Sequence, residues 1–335
     1  MIGLMCILVL VLFLPFTVKK VGDNLEPFLF VMGLAAALVS GVLSKKLVIQ
    51  AVEDPIKITV AVLLAGLLFK WYRNQLRHSI QMAYEKIPFS LFLAIVVIGL
   101  GLLSSVITAI MAAIVLVLIV DVLPLDRKDE INFTVIACFA IGLGAVLTPI
   151  GEPLSTITIS KFNGDFFYLL DLVGPYIIPG VIILGIMAGI MVKPSIEDDT
   201  LGGRTEESYR EIIIRSVKIY MFVMGLTLLG AGFKPFINKY LIDLSAMILY
   251  WINITSSVLD NATLAAAEIS PAMQPETVKA ILLGLLISGG MLIPGNIPNI
   301  ISAGKLNITS KQWARVGVPL GLILLVFYFV ILLFA

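Results

Sequence analysis

Long apolar stretches with almost no charge limit the folds that this chain can adopt. Examples are residues 58–69, 177–192 and 320–335. Only 13% of the 335 residues are charged, whereas about a quarter is usual in a soluble domain. So little charge could not cover a globule of this size in water, and a membrane-spanning helix needs roughly 20 apolar residues. Alternating apolar and polar strands are absent, so the sequence predicts an all-α polytopic membrane protein.

The composition also argues against several classes of function. A net charge of +1 provides no basic field for nucleic acid. The two cysteines, Cys6 and Cys138, lie inside apolar runs, so neither a disulfide framework nor a metal-ligand spacing follows from them. The sequence contains no motif of a membrane-embedded protease and no nucleotide-binding loop. We therefore expect no enzyme activity, no catalytic residue and no bound cofactor.

The chain divides into an N-terminal pair of spans followed by two units of the same order. A polar linker separates the units, and each unit is expected to hold a span, a re-entrant helical hairpin, a broken helix and a final span. Residues 71–86 mix basic and apolar side chains and are predicted to lie along the membrane surface. The predicted parts are the N-terminal hairpin 1–55; repeat 1 at 56–192, with hairpin 88–122 and broken helix 131–161; the cytoplasmic linker 193–210; and repeat 2 at 211–335, with hairpin 240–270 and broken helix 276–305.

Short motifs recur in the same order in both units. Residues 103–109 correspond to residues 255–261, and residues 144–149 correspond to residues 290–294 with one position slipped. Each unit contains three crossings and one hairpin, so consecutive copies are inverted across the membrane. Inverted repeats with broken helices are typical of secondary transporters, whose site lies near the midplane. The distribution of Lys and Arg places the linker in the cytoplasm of a prokaryote and both termini outside the cell membrane.

Two acidic residues fall at the predicted interruptions, Glu152 in the first broken helix and Asp260 in the second hairpin. An ionised carboxylate at the bilayer centre costs at least roughly 2.5–3.5 kcal/mol, so such a residue is a functional candidate. Proline and glycine at residues 148–153 and 294–299 free backbone carbonyls, which together with hydroxyl, amide and carboxylate oxygens suit a small hard cation.

The two units are chemically unequal, which predicts one composite site. Asp260 and Asn261 in the second hairpin correspond to Thr108 and Ala109 in the first, whereas Glu152 corresponds to Asn296. Protonation of either acid would compete with the cation, which is the basis of an antiport cycle. The candidate cation-binding residues are Ser104, Ser105, Thr108, Thr148, Gly151, Glu152, Ser256, Ser257, Asp260, Asn261, Thr263, Gly295, Asn296 and Asn299, with Asp260 and Glu152 as sodium ligands that share a cavity.

A third acid, Glu268, follows Asp260 by two helical turns. It either faces the same cavity or lies at the membrane interface, and the sequence favours the interface.

Three segments resemble motifs of the ion transporter superfamily, in particular the NhaD-type sodium/proton antiporters and their arsenite-pump relatives. Residues 256–266 resemble the antiporters' Ser-Ala-x-x-Asp-Asn-x-Pro-Leu hairpin motif, and residues 147–153 resemble their Thr-Pro-x-Gly-Asp break. Residues 295–304 resemble their Gly-Asn-x-Pro-Asn-Leu-Ile-x-Ala-Gly segment. The resemblance runs in order through residues 88–335. Within the superfamily, the chain resembles a small prokaryotic branch. This resemblance implies inverted repeats, a homodimer and elevator-type alternating access.

The leading interpretation is a sodium/proton antiporter that moves a small ion across the lipid bilayer, with sodium and protons as the transported or coupling ions. The alternative is a sodium-coupled carrier of a carboxylate or another anion with the same fold. Here the chain departs from the antiporters, because Thr108-Ala109 replaces their acidic motif in the first hairpin and Glu152 stands where they have aspartate.

Overall fold

Every regular element that the structure describes is a helix. The structure is a computed structural model, and it describes residues 2–22, 24–195, 208–240, 244–259 and 261–334. The helices are α1 (Ile2–Thr17), α2 (Lys19–Gly22), α3 (Leu25–Val39), α4 (Lys45–Lys86), α5 (Phe89–Ile107), α6 (Ala109–Val122), α7 (Arg127–Ala145), α8 (Pro153–Phe162), α9 (Tyr168–Met191), α10 (Tyr209–Tyr240), α11 (Ala246–Ile252), α12 (Asn261–Glu268), α13 (Pro275–Met291), α14 (Ile297–Leu306) and α15 (Ser310–Phe334), with 3-10 turns at Asn253–Ser257 and Ile293–Gly295.

Four of these helices are long and apolar enough to cross a membrane. They are α5, α9, residues 209–237 of α10, and α15. Helices α1, α3 and α6 are equally apolar but shorter, at 16, 15 and 14 residues. Only 28% of the most apolar window of α15 is buried within the protein, so much of its apolar surface faces outward. The described residues therefore confirm an all-helical chain and indicate a membrane protein.

Helix α4 differs from the sequence prediction. Its 42 residues form one continuous helix, so residues 71–86 continue the predicted span and the predicted boundary at 55/56 falls inside the helix. Such a helix is about 63 Å long, roughly twice the thickness of the hydrocarbon core. The Lys, Arg, Gln, Met and Glu residues of this stretch are good helix formers, and a change from apolar to basic composition does not by itself end a helix.

The two interrupted helices lie at the centre of the molecule. In α7 every residue from 133 to 145 is buried, and in α13 every residue from 280 to 291 is buried. Helix α7 contacts α5, α9, α13 and α15. Charge is confined to the first turns of these helices, where Asp126 caps α7 by accepting a bond from Asp129 N. The interruption after α13 is buried throughout, and in the one after α7 the side chain of Ile150 is exposed while residues 146–148, 151 and 152 are buried.

The packing partners of the two halves correspond to one another. Helix α5 packs on α7, as α11 packs on α13, and α7 packs on α9 as α13 packs on α15. Helix α6 contacts α4 as α12 contacts α10. Two further pairs connect the halves, because α8 packs on α12 and α14 packs on α6. The short helices that follow the interruptions, α8 and α14, therefore each pack against a helix of the other half, α12 and α6 respectively.

Helices α3 and α10 meet through small residues. A side chain on Gly33 would overlap the carbonyl oxygen of Gly225, and a Cβ on Gly225 would lie 2.7 Å from Phe30 N. Two helical turns further along α10, a Cβ on Gly232 would lie 2.7 Å from Ala36 Cβ. Small residues let two helices approach closely where no hydrophobic effect drives association in lipid.

We predict that Gly33→Ala lowers the thermal stability of the purified protein, because the added methyl group would force α3 away from α10. Overpacking of this kind costs roughly 1–3 kcal/mol. The matched control is Gly99→Ala on α5, where an added Cβ meets no atom within 4 Å. Thermal unfolding in detergent would show a drop for Gly33→Ala alone. Equal midpoints for the two variants would contradict this packing.

Candidate functional site

The first interruption, residues 146–152, is held by side chains that take the place of helical hydrogen bonds. Thr156 Oγ1 donates to Pro149 O at 2.7 Å, and Ser155 Oγ donates to Ala145 O at 3.4 Å. Gly151 passes so close to the carbonyl of Ala145 that no side chain would fit. We call this segment the first break. It returns the chain against the end of α7 before α8 begins.

The junction between α5 and α6 docks on the first break. Thr108, the single residue between these helices, has φ 75°, and its hydroxyl accepts a bond from Met111 N. Thr148 Oγ1 donates to the carbonyl of Ser105, and Ala109 N donates to Gly151 O at 2.9 Å. These two bonds join both sides of the junction to the break.

Two predicted serines next to this junction have structural partners. Ser104 Oγ lies 2.6 Å from Gly101 O and 3.0 Å from Ile141 O, which connects α5 to α7. Ser105 Oγ donates to Leu102 O at 2.7 Å, within its own helix. Ser104 therefore helps to hold α5 against α7, whereas the Ser105 hydroxyl is satisfied within α5.

Glu152 is the N-cap residue of α8. Its backbone is extended, proline follows at the first helical position, and the side chain makes no capping bond to the helix. The residue is only 8% exposed. An acid at this position is favoured by the partial positive charge at a helix N-terminus. The structure thus places a buried carboxyl group where α8 begins.

The second interruption, residues 292–296, uses an amide where the first uses hydroxyl groups. Asn299 Nδ2 donates to Gly289 O at 2.8 Å and to Leu292 O at 2.9 Å. Gly295 packs against Gly289 and against the carbonyl of Ser256. Ser256 Oγ in turn donates to Leu285 O at 3.0 Å. This second break is therefore in contact with the 3-10 turn that follows α11.

Asn261, the first residue of α12, has its side chain against Gly289 of α13, which Gly295 of the second break also contacts. Its amide lies over Gly289, where an added Cβ would be 2.6 Å from Nδ2. Asn261 is 4% exposed, and within the described part of the chain neither polar atom of its side chain forms a hydrogen bond. Ser257 is also buried. Asp260 lies outside the described residues, as does the side chain of Thr263.

The two short arms α8 and α14 have the same local design. Each has 10 residues, starts at an extended polar N-cap followed by proline in the first turn, and ends at an asparagine in the left-handed conformation. The N-caps are Glu152 and Asn296, and the terminal residues are Asn163 and Asn307. The sequence correspondence between Glu152 and Asn296 therefore coincides with equal positions in the two arms.

Lys161 fixes the direction in which α8 packs on α12. Its ammonium group donates to Ala266 O and Ile269 O, both at 2.5 Å, at the C-terminal end of α12. Lys161 itself lies in the last turn of α8. Two packed helices that share their C-terminal ends run in the same direction. Glu152 and Asn261 therefore lie toward the same end of the pair.

The other cross-pair, α14 on α6, is apolar along its contact. Ile297 and Ile301 of α14 share one cluster with Ile110 and Ile114 of α6. At the start of α14, Asn296 Oδ1 accepts a bond from Ile297 N, and Nδ2 contacts α7 at Gly142. An added Cβ on Gly142 would lie 2.6 Å from that nitrogen.

The contacts between neighbours thus join four helix N-termini into a ring. Helix α6 is bonded to the residue before Glu152 at the start of α8, and α8 is paired with α12. Asn261 of α12 lies against Gly289, beside the second break that precedes α14, and α14 is packed on α6. Each N-terminus carries up to about half a positive elementary charge. Pair α8–α12 contributes Glu152, whereas pair α6–α14 begins at the uncharged caps Thr108 and Asn296.

Two residues outside the predicted set are deeply buried. Glu268 is 1% exposed, so it lies inside the protein, and its position at the membrane interface stays a prediction. Cys138 Sγ lies 3.3 Å from Ser302 Oγ between α7 and α14. Among the described residues no group of three or more His, Cys, Asp or Glu residues could hold a metal ion. The spacing of Glu268 from Asp260 was the available signal for its position.

No curated protein matches this sequence. One family model, described as Protein of unknown function (DUF1646), matches residues 1–335. The match covers the whole chain, so the protein belongs to the DUF1646 family.

Proposed function

We propose that the protein is a secondary active transporter that exchanges sodium, or another monovalent cation, for protons. The observation that supports this proposal best is the ring of four helix N-termini between two interrupted helices, with the carboxyl group of Glu152 buried in it. An interrupted helix is tolerated at membrane depth only where protein or a water-filled cavity surrounds it. Interrupted helices at corresponding positions of two halves are where transporters bind their substrates.

The proposed architecture is a pair of inverted repeats with two re-entrant hairpins. The matching packing partners of the halves support it, as does the shared design of α8 and α14. The cross-pairs α8–α12 and α6–α14 would form the moving core, and α3, α4 and α10 would form the frame. Alternating access would then expose the ring first to one side of a prokaryotic cell membrane and then to the other. A homodimer with both termini outside completes the proposal.

The proposed cation site lies at the start of the α8–α12 pair. Glu152 supplies one carboxylate, and Asp260 precedes α12 in the sequence. The amide oxygen of Asn261 is buried and has no donor among the described residues, so it is available to a cation. Carboxylate and amide oxygens are the hard ligands that small cations prefer. A proton on either acid would remove a ligand charge, which couples cation binding to proton release.

A sodium-coupled anion carrier is the second candidate, and the α6–α14 pair favours it. Both of its N-termini have uncharged caps, Thr108 and Asn296, so their partial positive charge is not offset by an acidic cap. Helix N-termini of this kind bind carboxylate or phosphate groups. In this case sodium would occupy the acidic pair and the anion the neutral pair.

We predict that Glu152→Gln abolishes sodium-dependent alkalinisation of the lumen in acid-loaded proteoliposomes. Sodium entry would normally drive protons out, and the amide can neither carry a proton nor provide a charge to the cation. A fluorescent pH indicator inside the vesicles measures the effect. Asp260→Asn is expected to behave in the same way.

The control is Glu53→Gln, which removes an exposed carboxyl group from α4. It should leave the rate unchanged. Wild-type activity in correctly inserted Glu152→Gln would contradict the proposed role of Glu152, and a flat wild-type response with sodium, lithium and potassium would contradict the antiporter.

We predict that Asn296→Asp separates the two candidate functions. Aspartate caps a helix as well as asparagine does, so α14 should keep its start while the ring gains a negative charge. An antiporter would bind sodium more tightly, whereas an anion carrier would lose anion binding. Sodium-dependent protection against thermal unfolding, measured with and without a panel of dicarboxylates, distinguishes the outcomes. A sodium response identical to that of the wild type would place Asn296 away from the cation.

A further inference from the structure

Glu268 is the most deeply buried acid among the described residues. It is 1% exposed, compared with 8% for Glu152 and 3% for Glu130. Glu130 has a cation beside it, since Arg127 Nη1 lies 3.0 Å from its carboxylate. Among the residues that the structure describes, no group forms a hydrogen bond of normal distance and angle with either carboxylate oxygen of Glu268. Buried polar groups are normally hydrogen-bonded, and a buried carboxyl group without such a bond commonly has a functional role or holds a water molecule.

Among the described residues of the elements packed on α12, no cation faces the Glu268 carboxylate. Lys161 of α8 donates hydrogen bonds to backbone carbonyls, and Lys234 of α10 lies near Lys161. On α13, Glu276 is exposed and Lys279 donates to Tyr176 Oη at 3.1 Å. The 3-10 turn contributes only the uncharged amide of Asn253, which faces Glu268.

An ionised carboxylate without a partner is strongly disfavoured at such a site, and a buried acid normally takes up a proton instead. The arrangement around Glu268 therefore suits the uncharged carboxyl group. A carboxyl group of this kind becomes charged only when water or a cation reaches it.

Glu268 lies on the same face of α12 as Asn261. Seven residues separate them, which is nearly two turns, and both are buried. On α13, Ser288 precedes Gly289, which Asn261 contacts, and lies one turn beyond Gly284, which Asn253 contacts; its hydroxyl is buried and has no hydrogen bond among the described residues. Asn253 Oδ1 is in the same condition. A row of unsatisfied polar groups thus runs along α12 from the ring toward Glu268, and buried polar groups of this kind commonly hold water.

We propose that Glu268 is a second proton-binding site, connected to the ring by this polar row and linked to cation binding there. The proposal rests on the proposed function and adds the position of a coupling proton. When a cation enters the ring, the O–H bond of Glu268 breaks, the proton passes to water in the row, and a carboxylate remains. The carboxylate takes a proton from water again after the cation leaves.

The distance between the start of α12 and Glu268 is short enough for a bound cation to affect proton release electrostatically. A cation at the start of α12 would be about 10 Å from Glu268 along the helix. At an effective dielectric constant of about 20, that separation favours proton release by roughly tenfold.

Infrared difference spectroscopy of the purified protein tests the proposal. The carbonyl stretch of protonated carboxyl groups should be present at neutral pH in the wild type and should lose one component in Glu268→Gln, whatever Glu152 contributes. The matched control, Glu276→Gln, should keep that component. In the wild type, sodium should shift the half-titration of the component by about tenfold in proton concentration, with choline as the comparison cation. An unchanged band in folded Glu268→Gln, or a Glu268 component that ignores sodium, would overturn the proposal.

A second measurement needs no variant. Dicyclohexylcarbodiimide adds to protonated carboxyl groups in apolar surroundings: the carboxyl proton goes to one nitrogen of the reagent and the oxygen bonds to its central carbon. Mass spectrometry of the wild type should find the adduct on Glu268, less of it when sodium is present, and none on exposed Glu276. Equal labelling with and without sodium would refute the link.

The infrared measurement and the transport assay in proteoliposomes together separate this proposal from the proposed function. If wild-type proteoliposomes moved no protons, the antiporter would be wrong, while the infrared band would still decide whether Glu268 binds a proton. If transport persisted unchanged in Glu268→Gln, the antiporter would stand and the second proton site would not.

Discussion

The backbone of a helix that stops inside a membrane must find hydrogen-bonding partners in the protein, because hydrocarbon supplies none. An unsatisfied peptide group costs several kcal/mol there, so each break needs its own set of partners. At the first break these are Thr148, Ser155 and Thr156, and at the second the amide of Asn299. The close glycine contacts follow from the same requirement, because a turn can reach its partners only if the chain at Gly151 and Gly295 carries no side chain. The breaks could not stay this close to α7 and α13 otherwise.

The same constraint explains why charge gathers where it does. Four helix N-termini in one enclosed region would repel one another, and an acid at Glu152 offsets part of that repulsion. At the C-terminal ends of the short helices the last carbonyl groups have no partner within the helix, and cationic side chains donate hydrogen bonds to them. Lys161 satisfies the end of α12, and Arg127 donates to Leu306 O and Asn307 O at the end of α14. Acids at one end and cations at the other are what two oppositely charged helix ends require.

Both breaks could be predicted from the sequence, because proline and glycine act locally. Proline and glycine cluster in residues 148–153 and 294–299, and such clusters disfavour a continuous helix. The structure interrupts the chain within both stretches, whereas single prolines such as Pro175 lie inside continuous helices. The uninterrupted length of α4 and the burial of Glu268 could not be predicted in this way, because both depend on distant contacts. The sequence also gave no sign that α8 packs on α12. That pairing depends on Lys161, whose partners are more than 100 residues away. Asp260, the acid on which the sequence argument relied most, lies outside the described residues.

The packing of α8 on α12 and of α14 on α6 distributes the acidic residues differently from the order of the two halves in the sequence. In the sequence, one acid belongs to the first break and the other precedes the second hairpin arm, so each half contributes one. Since α8 packs on α12, the two positions belong to a single helix pair, and the caps Thr108 and Asn296 belong to the other pair. The ring is thus divided by chemistry into an acidic side and a neutral side that do not coincide with the halves of the chain. In the proposed transporter, two equal pairs would hold two equal ions, whereas a divided ring would hold a cation on one side and leave positive helix ends on the other. A single substitution at Asn296 or Thr108 would then be expected to change which ion the neutral side accepts.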